Sequence, residues 1–336
     1  MREIVIEHND SGQRLDRFLR KYLPKAPLSL VYKLVRKDVK VNGKRAKEDT
    51  FLNEGDVLTL YMPDEDIEGY VEKKRPRSAK RQFKVLLEND DLIIVSKPFG
   101  LLVHGDKTEK KDTLANQVTD YLIETGAYVP RLEKTFVPSP VHRLDRNTTG
   151  LVVFGKNAQA LRVLSAMMRE APADEKDVKE SICLRKYYIT VLCGELDRSL
   201  TLKNRLVKDE KKNRGIVKPL SYDGGKYIET AARPLYTGGG YTLAEIELVT
   251  GRSHQIRAHM SWAGFPLLGD TKYGGRAYMI PGASQSVTTQ LLHAARIEFT
   301  GAPEPLDYLN GTSVTCPLPS GWQTVERELF GKYIAL

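Results

Sequence analysis

Apolar positions in the first sixty residues follow helical and strand spacing in turn. Ile4-Val5-Ile6 reads as a short strand, and Leu15, Phe18, Leu19, Tyr22 and Leu23 then recur three and four residues apart until Pro24 stops the run. A second helix is predicted around Leu30, Val31, Leu34 and Val35, with Lys33, Arg36 and Lys37 on its polar face and Ser29 or a neighbour as its cap. Alternation returns in Val39-Lys40-Val41, and Asn42-Gly43 supplies the left-handed residues of a tight hairpin before Lys44. Gly55-Asp56 precedes the last strand predicted here, Val57-Leu58-Thr59-Leu60. These elements make a first domain of residues 1–64.

Residues 65–82 keep neither period. An acidic start around Asp64-Glu65-Asp66 passes to a basic stretch with Pro76, the composition of a linker. From residue 83 to 336 strand patterns dominate: Leu92 to Val95, Leu151 to Phe154, Tyr187 to Leu192 and Tyr241 to Leu248. Helical stretches fall near Leu114 to Ile123 and Ala158 to Met168. Strands with interspersed helices predict an α+β fold, a mixed and mostly antiparallel sheet with flanking helices, following the small N-terminal domain.

Charge is unevenly placed. The chain carries a net +9, yet Arg14 to Lys47 alone holds twelve Lys or Arg against Asp16 and Asp38, a local +10. Val71 to Lys84 adds seven bases against Glu72. A field so concentrated predicts a polyanionic partner, nucleic acid before any membrane surface. No apolar run approaches bilayer length, and Met1-Arg2-Glu3-Ile4 does not open a secretion signal, so a cytoplasmic protein is expected. Cys183, Cys193 and Cys316 are odd in number and lack metal-ligand spacing, which argues against a disulfide framework and against a cysteine zinc site.

Chemistry concentrates between Val141 and Leu151. Asp145 sits among His142, Arg143 and Arg146, and nearby cations favour the ionised carboxylate that can act as a nucleophile. Gly150 permits an unusual backbone angle just before the apolar strand, which would set Asp145 at a strand edge facing a cleft. An exposed turn with an ordinary surface ion pair is the competing reading of this segment taken alone.

Three further segments bear on that choice: Ser96-Lys97-Pro98-Phe99-Gly100 running to His104, Lys186-Tyr187-Tyr188, and Gly251-Arg252-Ser253-His254-Gln255-Ile256-Arg257-Ala258-His259-Met260 with Gly264 to Asp270 and Tyr273-Gly274. Together with His142-Arg143-Leu144-Asp145 and the late Leu292-His293-Ala294, their order resembles the RluA family of RNA pseudouridine synthases. Residues 12 to 62 resemble the αL (S4-like) RNA-binding domain of a small-subunit ribosomal protein, through Arg14-Leu15-Asp16, Val41-Asn42-Gly43 and Gly55-Asp56-Val57. The combination resembles the branch of the family directed at 23S large-subunit rRNA.

The resemblance implies Asp145 as nucleophile, Tyr188 against the flipped base and Arg257 as the ion-pair partner of Asp145. It implies RNA contacts from Arg143, which would fill the vacated stack, and from His142, Ile256 and Lys97. Arg14, Arg17, Lys33, Arg36, Lys37 and Lys44 are the expected RNA-binding cations of the first domain. Thr149 stands where the family often has Ser. Ser253 is an expected helix cap, and the stretches Arg169 to Arg185 and Leu202 to Lys218 read as insertions able to touch RNA. Isomerising uridine exchanges no atoms, so no cofactor is required; His254 and His259, five apart, miss the one-turn spacing of a helical metal pair, and no metal is expected. A monomer acting on rRNA or pre-ribosomal particles is expected. A carboxylate-based hydrolase would want two carboxylates, and a catalytically silent RNA-binding or ribosome-assembly factor would not need the Asp145, Tyr188 and Arg257 set.

Overall fold

The computed structural model describes residues 1–71, 80–169, 184–279 and 286–334. The basic run at 72–79, most of the Arg169 to Arg185 stretch and Cys183 lie outside the described residues.

In the N-terminal unit, strands Arg2–Val5, Val57–Leu60, Val39–Val41 and Lys44–Arg45 pair antiparallel in that order. Asn42 and Gly43 take φ of 50° and 74°, the left-handed pair expected of the hairpin. Helices Leu15–Tyr22 and Leu28–Lys37 bury Phe18, Leu19, Val31 and Leu34 against the sheet, at about 2 kcal/mol per large side chain. The second helix is entered from Pro27 without a side-chain cap, so Ser29 does not cap it.

The unit extends further than the sequence predicts. Asp64–Tyr70, expected to open the linker, is a helix whose Ile67 joins this core. Its three acidic residues form the first turn, where carboxylates complement the helix dipole. A single buried apolar residue in seven leaves too weak a period to read.

Polar contacts dock this unit on the larger one. Asn9 Oδ1 accepts the Ala158 amide at 3.0 Å at the start of helix Ala158–Arg169. Thr135 Oγ1 donates to Asp10 Oδ1 at 2.8 Å and accepts from Gln13 Nε2 at 3.0 Å. Lys134 lies 3.6 Å from the buried Asp10 carboxylate.

The larger unit is built on one eleven-stranded sheet. Its main path runs Arg214–Lys218, Leu200–Asp209, Lys226–Gly238, Tyr241–Leu248, Leu184–Cys193, Leu292–Phe299, Thr149–Gly155, Leu92–Lys97 and Lys84–Glu88. Thr149–Gly155 and Leu292–Phe299 run parallel while the other pairs are antiparallel, as a mixed α+β sheet requires. Gly150 has φ 110°, and a Cβ there would collide with the Ala294 backbone, so only glycine permits this strand contact. The stretch Leu202 to Lys218, expected as an insertion, lies within the hairpin Leu200–Lys218 of the sheet itself. Buried Leu202, Asn204 and Leu206 alternate there with more exposed Lys203, Arg205 and Val207, and the surface charges hid the period. Helices Leu114–Glu124, Gln255–Trp262 and Gly321–Phe330 flank the sheet. No helix among the described residues is long and apolar enough to cross a membrane.

Candidate active site

Asp145 lies in the loop entering the central strand Thr149–Gly155, and a buried lysine holds that loop. Lys97 Nζ donates to the carbonyls of Leu101 at 2.7 Å, Arg146 at 2.8 Å and Pro98 at 2.9 Å. It ties the Lys97-Pro98 turn to the residue following the nucleophile candidate. Burial pushes its pKa down to about 7, against the pull of Asp145. Lys97 is fully buried, so the expected RNA contact is corrected: its three donors are already satisfied by backbone oxygens.

The expected ring of cations about Asp145 is also rearranged. His142 Nε2 accepts the Val153 amide at 3.2 Å, and burial followed by the charge of Lys186 lowers its pKa to about 3, so it is a neutral member of the cleft wall. Arg146 turns away to Asp106 at 3.6 Å. Arg143 is exposed and lines the cleft, a position compatible with contacting RNA.

The counter-charge comes from the helix Gln255–Trp262. Arg257 Nη1 donates to Asp145 Oδ2 at 2.9 Å, the pairing expected. Its Nε and Nη2 grip both oxygens of Asp270, at 2.6 and 2.9 Å. Burial alone would lower the guanidinium pKa, but Asp270 and then Asp145 outweigh it and raise the value, so Arg257 stays charged. Asp270 is nearly inaccessible, and its place at the end of the Gly264 to Asp270 segment gives no hint of this role.

The helix starts unexpectedly. His254, not Ser253, occupies the cap position, with φ 57° and no side-chain cap. Gln255 instead folds back: its Oε1 accepts the Arg252 amide at 3.1 Å and the Thr250 hydroxyl at 2.8 Å. His254 Nε2 lies 3.8 Å from Asp145 Oδ2, and its Nδ1 meets the Tyr273 hydroxyl at 2.9 Å.

Tyr188 and Lys186 share the cleft face of strand Leu184–Cys193, while Tyr187 on the other face lies under Arg296. Burial, then the charge of Asp145, raises the Tyr188 pKa, so its phenol remains neutral and serves as a hydrogen-bond donor or an aromatic wall. Leu144, Ile256 and Leu248 add apolar surface to a cleft of about 860 Å³. That volume admits a nucleotide-sized ligand. The hairpin Leu200–Lys218 brings Lys208 and Asn213 to its rim. His293 lies outside the cleft lining, bonded to Thr149 Oγ1 at 2.7 Å and the Cys316 carbonyl at 3.0 Å, a structural bracket.

The N-terminal cations Arg14, Arg17, Lys33, Arg36, Lys37 and Lys44 are all exposed. Arg14 is already engaged by both oxygens of Asp16, at 3.0 and 3.1 Å.

Comparison with known proteins supplies the context for this arrangement. The family model described as RNA pseudouridylate synthase matches residues 91–262, which contain the Lys97 turn, Asp145, Tyr188 and Arg257. The chain is 33% identical over 302 residues to the ribosomal large subunit pseudouridine synthase C of Vibrio vulnificus, covering 88% of each chain. It is 30% identical over 303 residues to the Escherichia coli protein of that name, again over 88% of each. Its fold is similar to that of human RNA pseudouridylate synthase domain containing 4, at a TM-score of 0.54 and 18% identity, covering 73% of this chain and 92% of the other.

Proposed function

Because the chain belongs to the RNA pseudouridylate synthase family, whose members isomerise uridine in RNA to pseudouridine, we propose that it acts on 23S large-subunit rRNA with Asp145 as its nucleophile. One observation carries the assignment of Asp145. The cleft is lined by two carboxylates among the described residues, and Asp270 has both oxygens locked by Arg257. The Arg257 and His254 contacts of Asp145 both go to Oδ2, leaving Oδ1 as the oxygen for substrate. A hydrolase with an acid and a base carboxylate has no second free group here.

The target uridine must leave the stack to reach this depth, at about a few kcal/mol. Arg143 at the mouth takes the vacated place. Asp145 assists cleavage of the C1′–N1 bond, the uracil turns between Tyr188 and Ile256, and C5 joins C1′. C5 loses its proton and N1, freed from the ribose, takes one up, so the nucleotide keeps its mass while tritium at C5 passes to water. Arg257 holds the Asp145 carboxylate in one orientation, and Leu144 and Ile256 exclude water, which strengthens that contact.

The N-terminal unit, read as an αL domain of the RluA branch, extends the RNA surface through its exposed cations, with residues 1–71 as the domain and the synthase unit beginning near residue 83. The enzyme works as a cytoplasmic monomer on rRNA or a pre-ribosomal particle, without cofactor.

The test is tritium release from 23S rRNA carrying 5-tritiated uridine, followed by mapping of the modified positions. Release at discrete 23S sites is expected. Uridine left intact in bound rRNA would mark a silent binding factor, and release confined to tRNA would move the substrate.

A further inference from the structure

We propose that His254 is a positioning residue for Asp145, presenting an Nε2–H to the carboxylate because a chain of donors from Gly215 through Tyr273 fixes its tautomer. The proposal rests on Asp145 as the reacting carboxylate. The Gly215 amide donates to Tyr273 Oη at 2.8 Å, and Oη lies 2.9 Å from His254 Nδ1. The phenol has one hydrogen. With Oη accepting from Gly215, that hydrogen is satisfied by donation to Nδ1; a proton on Nδ1 would instead make the phenol a double acceptor and leave its own hydrogen without a partner.

Burial lowers the imidazole pKa against the pull of Asp145, with Arg257 and Lys272 opposing the charged form as well. A neutral ring that accepts at Nδ1 carries its proton on Nε2. That nitrogen faces Oδ2, the oxygen held by Arg257, at 3.8 Å, a gap of the kind that closes when substrate binds. Two donors on one oxygen fix the carboxylate's rotation and leave Oδ1 for the nucleotide.

Two features hold the relay in place. The Arg257 guanidinium lies over the Tyr273 ring at 5.1 Å, so the residue that pairs with Asp145 also seats the phenol. His254 is held at φ 57°, an angle uncommon for any residue other than glycine, and such positions gather at functional sites. Gly215 belongs to the basic hairpin at the cleft rim, so a backbone amide of an RNA-facing element sets the state of a group beside the nucleophile.

The choice of substitute separates this role from a backbone one. Gln places its amide nitrogen near Nε2, whereas Asn is the better residue for the left-handed region. If only the backbone matters, His254→Asn will outperform His254→Gln. We expect the reverse: His254→Asn loses kcat by about tenfold to a hundredfold, the scale of one hydrogen bond to a charged group, while KM and circular dichroism stay near wild type. His254→Gln should recover most of the loss. Tyr273→Phe should lower kcat and add little to His254→Asn in the double variant, whose melting temperature reports folding. Wild-type kcat in His254→Asn, an Asn variant faster than the Gln one, or additive effects with Tyr273→Phe would overturn the proposal. An active Asp145→Asn in the same assay would overturn the nucleophile reading beneath it, whereas an inactive Asp145→Asn beside a fully active His254→Asn would sink the His254 role alone.

Discussion

Arg257 gives Nε and Nη2 to the two oxygens of Asp270, which stands behind the guanidinium on the side away from Asp145. Asp145 receives the remaining Nη1. Asp270 therefore orients the guanidinium, and Nη1 arrives at Asp145 in a fixed direction. Replacing Asp270 by Asn leaves a buried guanidinium with half its counter-charge, a loss of about 3 kcal/mol for a broken buried pair. A lower melting temperature and a large fall in kcat are expected together. Arg257→Lys should resemble it, since an ammonium cannot serve both carboxylates in the same geometry. Wild-type turnover in Asp270→Asn would show that the fork's anchor is dispensable.

Asp145→Asn should lose tritium release while keeping fold and RNA affinity. The side chain is partly exposed and accepts one hydrogen bond from Arg257, so the isosteric amide disturbs little structure. What disappears is the anion. Release near the wild-type rate by a folded Asp145→Asn protein would remove it as nucleophile.

The strands from Leu92 and Leu151 were legible as short unbroken apolar runs, and the helices near Leu114 and Ala158 by the helical spacing of their apolar positions. The pairing of Asp145 with Arg257 came from the family resemblance, 112 positions apart in the chain. The grip of Asp270 on Arg257, the burial of Lys97 and the relay to His254 were not legible. Each depends on which carbonyl or carboxylate lies across a turn, and a charged residue looks the same in sequence whether it faces water or three backbone oxygens. The helix Asp64–Tyr70 escaped for the opposite reason: its only buried side chain is Ile67.

Lys97→Met should loosen the Asp145 loop by leaving the carbonyls of Leu101, Arg146 and Pro98 without their donor, at about 3 kcal/mol. Stability should also report the lysine's titration. Its folded pKa is about 7, depressed by burial from 10.5, so between those values the unfolded chain binds more protons. Wild-type stability relative to Lys97→Met should therefore rise from about pH 7 towards pH 10, the burial penalty on the ammonium fading as the native group loses its proton. Urea midpoints for both proteins across that range check the sign, and a difference that is flat or falling with pH would contradict it.

Removing the N-terminal unit tests where the affinity resides. Its boundary belongs after Tyr70, because a cut at residue 64 would discard the strands but leave the helix that buries Ile67 without its core. A chain starting near residue 80 loses the +10 segment, and with it counterion release from phosphates. The plot of log Kd against log salt should flatten by about 0.9 for each phosphate that is no longer neutralised. Deletion also removes the Asn9 cap from the helix at Ala158 and the Asp10 and Gln13 hydrogen bonds to Thr135, so some loss of stability will accompany it. The triple variant Lys33→Gln, Arg36→Gln and Lys37→Gln avoids that loss, since all three side chains are exposed on one helix. It should flatten the slope with melting temperature unchanged and turnover at saturating RNA preserved. An unchanged slope in the triple variant and in the deletion would place the electrostatic anchor elsewhere, with the hairpin Leu200–Lys218 the next surface to neutralise.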